Sequence, residues 1–505
     1  MLDNTAGEKP QAKVLSGRIE GGLDAIVSGA TVDGYAAAGV LARSGYKTVL
    51  LEGQANVNSF EEREIAPGFR YTPGAEVTTH IDPALIDSLE LYKHGLRYRQ
   101  RRLKTIYHFD EQQPVTFLSE LLNSKSTDEY LSEIDAQKLA DFTERLSQAA
   151  RKLRPTFYNG EVPRDLEPEI DRLVMESSNA ILSDAFEDPR ISTAILAETH
   201  FGAAVSPSDP QSFLALVYKM SGEVSGYQGA RGYLDGGIIG LKAALRRACQ
   251  SFGVSFRGVE RVKKVLVEWD HVAGVELEDG SQLRAPVVVA TESATKALAE
   301  HIGRERLSIE LEHSLKPVHE KIGSLEVGIA VTGIESAQSI DSMWLKCRHL
   351  RALQPQQNIR ALRKARNDEL SDDLILDLVF PSAWDQADAP NDGAVAQGRI
   401  FPIPNNAEYL RDNQKKMELA IANAIATLSP DIKIEAIDFG GFSRLREASE
   451  TVLQRWQRTQ TFFGSPAVDG YFFAGAEARL NEAADGSVGR RAGKAAETFL
   501  RNRIT

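Results

Sequence analysis

The sequence predicts an α/β fold in which a parallel-sheet domain is discontinuous in sequence and carries an inserted mixed α+β domain. Three stretches predict it. Residues 23–52 read as strand, glycine turn, helix, strand and terminal acid. Residues 229–290 read as a helix followed by several strands, and residues 470–503 as a strand, a glycine stop, a loop and a last helix.

The first stretch opens with Leu23-Asp24-Ala25-Ile26-Val27-Ser28, a short apolar run of buried-strand type, followed by the turn Gly29-Ala30-Thr31-Val32-Asp33-Gly34. An alanine-rich helix over 35–44 ends at Gly45, and a second apolar strand over 46–51 leads to Glu52. An acid about twenty residues past a glycine turn is where dinucleotide folds hold a ribose. A dinucleotide site is therefore the first hypothesis. In G-x-G-x-x-G the first glycine permits the bend, the second lets backbone approach a pyrophosphate, and the third packs helix on strand. Here Thr31 replaces the second glycine, and Asp33 adds a negative charge at the helix start. Asp33 is a favourable N-cap, but opposite a pyrophosphate it would cost ~2–3 kcal/mol at ~6 Å and an effective dielectric near ~20.

Beyond Glu52, glycines and prolines between Gly53 and Ala75 mark turns around a short strand. From Pro83 to Tyr218 apolar residues recur at three and four spacing, as in Leu139, Phe142, Leu146 and Ala149. This predicts a mostly helical insertion. An amphipathic helix over 238–251 precedes strands at 254–256, 262–268, 272–278 and 286–290, with a turn at Asp279-Gly280. The chain thus returns to its first sheet through a small antiparallel meander. Strands at 325–331, 374–380 and 399–403 suggest a second sheet, covered by a helix over 408–428. The strand 470–475, a loop over 476–489 and a helix over 490–503 close the chain. The expected division is a tail over 1–22, a nucleotide-type domain over 23–76, 229–306 and 467–505, and a substrate or cap domain over 77–228 and 307–466.

With 505 residues, 42% hydrophobic and 26% charged, the composition is that of a globular protein with room for two or more domains. A net charge of -12 makes nucleic acid an unsuitable principal partner. The cysteines, Cys249 and Cys347, form no CxxC, which fits a reduced, cytoplasmic setting. The first 22 residues lack the pattern of a signal peptide, and the longest apolar stretch, 26–41, is broken by Asp33. The nine histidines form no HExxH and imply no metal. No residue is assigned as acid, base or nucleophile: neither Ser225 nor Ser487 sits in G-x-S-x-G. The basic run Arg97 to Lys104 reads first as an exposed strand face, and second as a grip on phosphates or a peripheral contact with an anionic membrane surface. The cluster from Arg348 to Arg366 reads as solvation or a partner helix, with a membrane-surface role as the second reading, and Trp384 as packing.

Together these pieces resemble the phytoene desaturase-like branch of the flavin amine oxidoreductase superfamily. The resemblance covers nearly the whole chain. It rests on Asp24 to Ala30 with Glu52, on Ala66-Pro67-Gly68-Phe69-Arg70 with Gly74-Ala75, and on Gly236-Gly237. It rests also on Pro381 to Asp385 with Ala389 to Gly393, and on Phe473-Ala474-Gly475 through Asp485 to Gly489. It implies a Rossmann-like FAD-binding domain holding FAD noncovalently, and an oxidoreductase of desaturase or dehydrogenase type acting on a hydrophobic or amphipathic small molecule. By position, Gly29, Ala30, Thr31, Gly34 and Glu52 would meet pyrophosphate and ribose, and Val262 the adenine side through its backbone. Gly475, Glu477, Gly486 and Val488 would line the ribityl and flavin end. The departures gather at the phosphate end: Thr31, Asp33, and Gln54 to Ser59 where the family has an arginine and glycine pair. The alternative is a relative that keeps the fold as a binding or scaffold protein without flavin.

Overall fold

The computed structural model describes residues 22–53, 62–73, 81–110, 112–117, 131–161, 166–199, 206–258, 260–315, 321–334, 340–385, 388–439, 446–447, 460, 462, 464, 466–479 and 485–504. The chain begins β1 (Ala25–Ser28), α1 (Val32–Arg43), β2 (Thr48–Leu51) and a hairpin of β3 (Arg63–Ala66) and β4 (Phe69–Tyr71). Then come α2 (Pro83–Ser88), β5 (Tyr98–Gln100), β6 (Thr105–Phe109), β7 (Gln112–Phe117) and the helices α3 (Glu133–Asn159), α4 (Pro168–Met175), α5 (Ser178–Leu182), α6 (Pro189–Ala197) and α7 (Leu214–Ser221). The strands β8 (Glu223–Val224), β9 (Tyr227–Gln228) and β10 (Tyr233–Leu234) precede α8 (Gly237–Ser251).

After α8 run β11 (Ser255–Arg257), β12 (Val262–Glu268), β13 (His271–Leu277), β14 (Gln282–Arg284) and β15 (Val287–Ala290). The second half supplies β16 (Ile322–Thr332), β17 (Arg348–Arg351), β18 (Ile375–Val379), β19 (Gly393–Pro404), β20 (Lys433–Asp438) and β21 (Arg446–Glu447). Strand β22 (Tyr471–Phe473) and a C-terminal helix, Ser487–Ile504, finish the chain.

The first sheet is five-stranded in the order β11-β2-β1-β15-β22, with every pairing parallel. Its strands are buried throughout at β1, β2, β15 and β22, as a parallel sheet covered on both faces requires. Helix α1 starts at Val32, three residues before the expected start at Tyr35, because Thr31, not Asp33, is its N-cap: the Thr31 side chain accepts the Gly34 N–H at 3.0 Å. Gly45, at φ +90°, ends the helix in a conformation that side chains resist. The meander β12-β13-β14 leads back to β15 as expected.

The C-terminal helix lies against α1 because both present glycine at the crossing. A Cβ on Gly489 would stand 2.0 Å from the Asp33 carbonyl oxygen, and one on Gly493 would stand 3.1 Å from Ala37. Neither backbone can yield without separating the helices. Gly489→Ala is therefore expected to cost about 1–3 kcal/mol of stability, read as a lower urea midpoint; an unchanged midpoint would refute the close crossing.

The second sheet has eight strands, with the path β20-β16-β19-β18-β17-β6-β7 and β21 pairing with β16. Residues 98–117 thus depart from the helical reading: β6 and β7 complete this sheet through β17, a pairing made 243 residues away that no local periodicity reveals. The expected helix over 408–428 is two, Ala407–Asp412 and Gln414–Ala426, divided at Asn413. One face of the sheet is packed by Leu325, Val327, Ile329 and Val331 against Met417, Ile421 and Ile425. The other face is buried as well. Its far end, Tyr107, Leu350, Ile375 and Phe401, lies under the helices that contribute Phe142, Phe213 and Leu216. Its near end, Ala330 and Val395, lies under Phe69 and Tyr71 of the hairpin.

Candidate nucleotide and substrate site

In an open parallel sheet the ligand crevice lies beyond the carboxyl ends of the strands, which here are Ser28, Leu51, Ala290 and Phe473. Gly29 leaves β1 at φ +100°, and a Cβ there would meet Thr291 Oγ1 at 2.2 Å. On Gly34 a Cβ would lie 2.0 Å from the Gly29 carbonyl oxygen, so this glycine keeps the helix-on-strand packing of the third motif position. Gly29 and Thr31 are partly exposed at the crevice. Helix geometry leaves the Val32 and Asp33 N–H groups without intrahelical acceptors, and they form the donor end of α1. The turn is thus a cradle of the right shape, although Thr31 Oγ1 takes the Gly34 N–H for itself.

Glu52 stands at the end of β2, with its N–H on the Arg257 carbonyl at 2.8 Å. Its carboxylate accepts from Arg246 Nε at 2.8 Å and from the Tyr35 hydroxyl at 3.1 Å. Arg246 in turn lies over the Phe256 ring, 4.5 Å from its centroid. Lys242, one turn earlier on α8, is partly buried; that burial pushes its ammonium down to about 8, against the pull of Glu52. Glu52 therefore sits within a basic and aromatic corner.

Asp33 does not face the crevice bare. It is fully buried, with Arg479 Nε and Nη2 on its Oδ2 at 2.8 and 2.7 Å and the Gly489 N–H on its Oδ1 at 2.9 Å. Burial raises the carboxyl's pKa, opposed by Arg479 and the Gly489 N–H. The acid that does reach the crevice edge is Glu292, just beyond β15. It accepts from the Ser28 hydroxyl and, at 3.1 Å, from the Thr291 N–H. A second crevice acid, Glu477, accepts the Ala294 N–H at 3.0 Å. Removing the Glu292 charge should tighten binding of any diphosphate in the cradle. Glu292→Gln is expected to improve ADP affinity several-fold in an equilibrium titration; unchanged affinity would place the phosphates elsewhere.

Between its far and near ends, the middle of the second sheet's inner face is polar. Register puts Glu326, Arg399 and Asp377 side by side on β16, β19 and β18. Arg348 on β17 holds Asp377 through Nε at 2.5 Å and Nη2 at 2.6 Å, and Glu198 through Nη1 at 2.6 Å. Glu198 also accepts from Tyr107 at 2.6 Å and pairs with Arg231, while Lys219 donates to its backbone carbonyl. Burial drives Lys219 down to about 7, with Glu198 pulling the other way. Gln397 donates to the Thr72 carbonyl at 2.8 Å and to Glu326 at 3.2 Å, and its buried Oε1 has no hydrogen bond among the described residues. Beside this strip Tyr233 and Trp384 stack at 4.2 Å and 10°, over Val379 and Leu103.

The structure gathers Gly29, Ala30, Thr31 and Gly34 in one turn and sets Glu52 at the neighbouring strand end. Gly475 is packed against Glu292 O, where a Cβ would lie 2.4 Å away, and Gly486 and Val488 open the C-terminal helix beside Val32 and Asp33. Val262 lies in the separate three-stranded sheet, opposite Leu277. Gln54 to Ser59 lie outside the described residues. The cluster from Arg348 to Arg366 is not simply solvated: Arg348 and Arg351 are buried and paired with Asp377, Glu198 and Asp110. The Arg97 to Lys104 run stays at the surface, with Arg99 on Asp235 at 2.8 Å and Arg102 over the Tyr227 ring. Sequence reasoning missed Arg479, Glu292 and the Glu198 network, whose partners lie 446, 264 and 150 residues away. Among the described residues no three potential ligands gather for a metal, and no helix is long and apolar enough to cross a membrane.

No family model matches the chain. It is 23% identical over 427 residues to the mouse (Mus musculus) pyridine nucleotide-disulfide oxidoreductase domain-containing protein 2, covering 74% of this chain and 72% of that one. It is also 23% identical over 309 residues to 4,4'-diaponeurosporene oxygenase of Staphylococcus aureus (strain bovine RF122 / ET3-1), covering 58% of this chain and 60% of that one. The solved cyclohexylamine oxidase of Brevibacterium oxydans IH-35A superposes with a TM-score of 0.56 at 15% identity, covering 96% of this chain and 100% of that one. With the crevice, the all-parallel sheet and the inserted second sheet in place, these likenesses bear out the resemblance read from the sequence: the chain has the fold of the phytoene desaturase-like, flavin amine oxidoreductase superfamily.

Proposed function

We propose that the protein is an FAD-dependent oxidoreductase acting on an amphipathic small molecule. The observation that carries this reading is the cradle Gly29 to Gly34, which keeps its positive-φ entry, its close helix packing and its open N–H groups at the carboxyl edge of a parallel sheet. Those N–H groups would hold the diphosphate, Glu52 the ribose, and Glu477, Gly486 and Val488 the region toward the ring. A bound flavin would supply hydride acceptance. The chain's own part is to bind, orient and exclude water, and no side chain is assigned as acid or base.

The inner face of the second sheet supports an amphipathic rather than a wholly apolar substrate. The Tyr233 and Trp384 stack offers an aromatic wall, while Asp377, Arg399 and Glu326 beside it offer paired charges. On the same reading the protein is cytoplasmic, and Arg97 to Lys104 make a peripheral contact with an anionic membrane surface. The test is anaerobic mixing of the FAD-loaded protein with amphipathic polyenes and amines while the flavin absorbance is followed. Bleaching by one compound class supports the reading. A colourless protein that takes up no FAD supports instead the retained fold as a binding or scaffold protein.

A further inference from the structure

The proposed flavin site, on which this inference rests, has lost the second motif glycine and the arginine that would follow Glu52. The fold returns a cation to the same place from the other end of the chain. Arg479 follows β22 directly, after the short turn Ala476–Ala478, and so emerges at the carboxyl edge of the sheet. Its guanidinium is pinned to the first turn of α1 by two bonds to one oxygen of Asp33, at 2.7 and 2.8 Å. Asp33 cannot turn away: it is fully buried, and its other oxygen is held by the Gly489 N–H at 2.9 Å. Arg479 Nη1 makes no hydrogen bond among the described residues, and the side chain keeps 17% of its surface exposed.

We infer that Arg479, aimed by Asp33, is the cationic contact for the diphosphate of the bound dinucleotide. The acid that looks hostile to phosphate in the sequence is then the mount of the arginine that attracts it. The pair is neutral as a unit, with the acid inside and the guanidinium outside, so a diphosphate over the Val32 and Asp33 N–H groups meets the positive member first. Planar donors of this kind match phosphate oxygens two at a time. This placement also accounts for the burial of an acid in a turn where its backbone, not its side chain, would serve a phosphate.

The experiment is equilibrium titration of FAD and ADP into the full-length protein and three variants, Arg479→Gln, Arg479→Lys and the double variant D33N/R479Q, at low and high salt. Arg479→Gln leaves Asp33 buried without its cation and can unfold, so the double variant, which replaces both charges by amides, carries the test. FAD and ADP affinities are expected to fall together by about tenfold to a hundredfold in both glutamine variants, with weaker salt dependence. Arg479→Lys, which keeps the charge, is expected to recover part of the loss. If the folded double variant binds FAD and ADP like the wild type with the same salt dependence, Arg479 is not the phosphate contact, and the flavin reading stands without it. If the wild type binds neither compound, both fall.

Discussion

Glu198→Gln is expected to lower the unfolding free energy by about 3–5 kcal/mol, the usual cost of removing one partner from a buried ionic network. Glu198 is wholly buried and meets Arg348, Arg231, Tyr107 and, through its backbone, Lys219. These groups come from β6, β17, α7 and the segment before β10, so the carboxylate ties the helical insertion to the second sheet. The attraction of three cations outweighs burial and holds the Glu198 carboxyl well below the usual carboxylate range. Glutamine fits the space but leaves Arg231 and Arg348 short of a counter-charge. Urea unfolding at neutral pH measures the loss, and a decrease under about 1 kcal/mol would show that the cluster is not a load on the fold.

Acid should unfold the protein through a second buried cluster. His108 and His349 lie side by side on β6 and β17, Nε2 to Nδ1 at 3.1 Å, and His349 Nε2 faces the Trp344 carbonyl at 3.0 Å. That carbonyl requires the His349 Nε2 proton, so His349 Nδ1 accepts and His108 Nε2 donates; both rings are neutral. Burial pushes His108 down to about 4 and His349 well below its ordinary value, where the neighbouring histidine adds to the effect. The sign follows from linkage. Below pH 6.5 the unfolded chain takes up protons that the folded chain refuses, so stability falls with pH until the folded value near 4 is reached. His108 alone accounts for about 3 kcal/mol over that window. In His108→Gln the drop in urea midpoint between neutral pH and the acid end of the window should be visibly smaller than in the wild type. Equal drops would mean that the pair titrates normally.

How much of this was readable in the sequence differs between the two sheets. The unit from Ala25 to Glu52 is legible because its signals are local: an apolar run, Gly29 and Gly34 where a Cβ would clash, and an acid at a fixed distance. Its helix begins earlier than the alanines suggest because Thr31, which stands where the motif has its second glycine, caps it. The meander and the last helix were legible for the same reason. The second sheet was only half legible, since β6 and β7 lie in a stretch of helical periodicity and declare themselves through β17. The polar strip was not legible at all. Glu198, Arg231, Arg348 and Asp377 look like surface charges one by one, and only their meeting on a buried face gives them meaning. Asp33 shows the limit most plainly: its charge was visible, but its partner, Arg479, sits near the other end of the chain.

The central claim is that the crevice beyond β1 and β15 holds FAD, and the melting temperature of the purified protein titrated with FAD tests it most directly. A ligand that binds only the folded chain stabilises it by about 2.7 kcal/mol at a hundredfold excess over its dissociation constant. The account predicts a melting temperature that rises with FAD and keeps rising logarithmically past saturation, with a smaller rise for ADP. A melting temperature indifferent to millimolar FAD would contradict it.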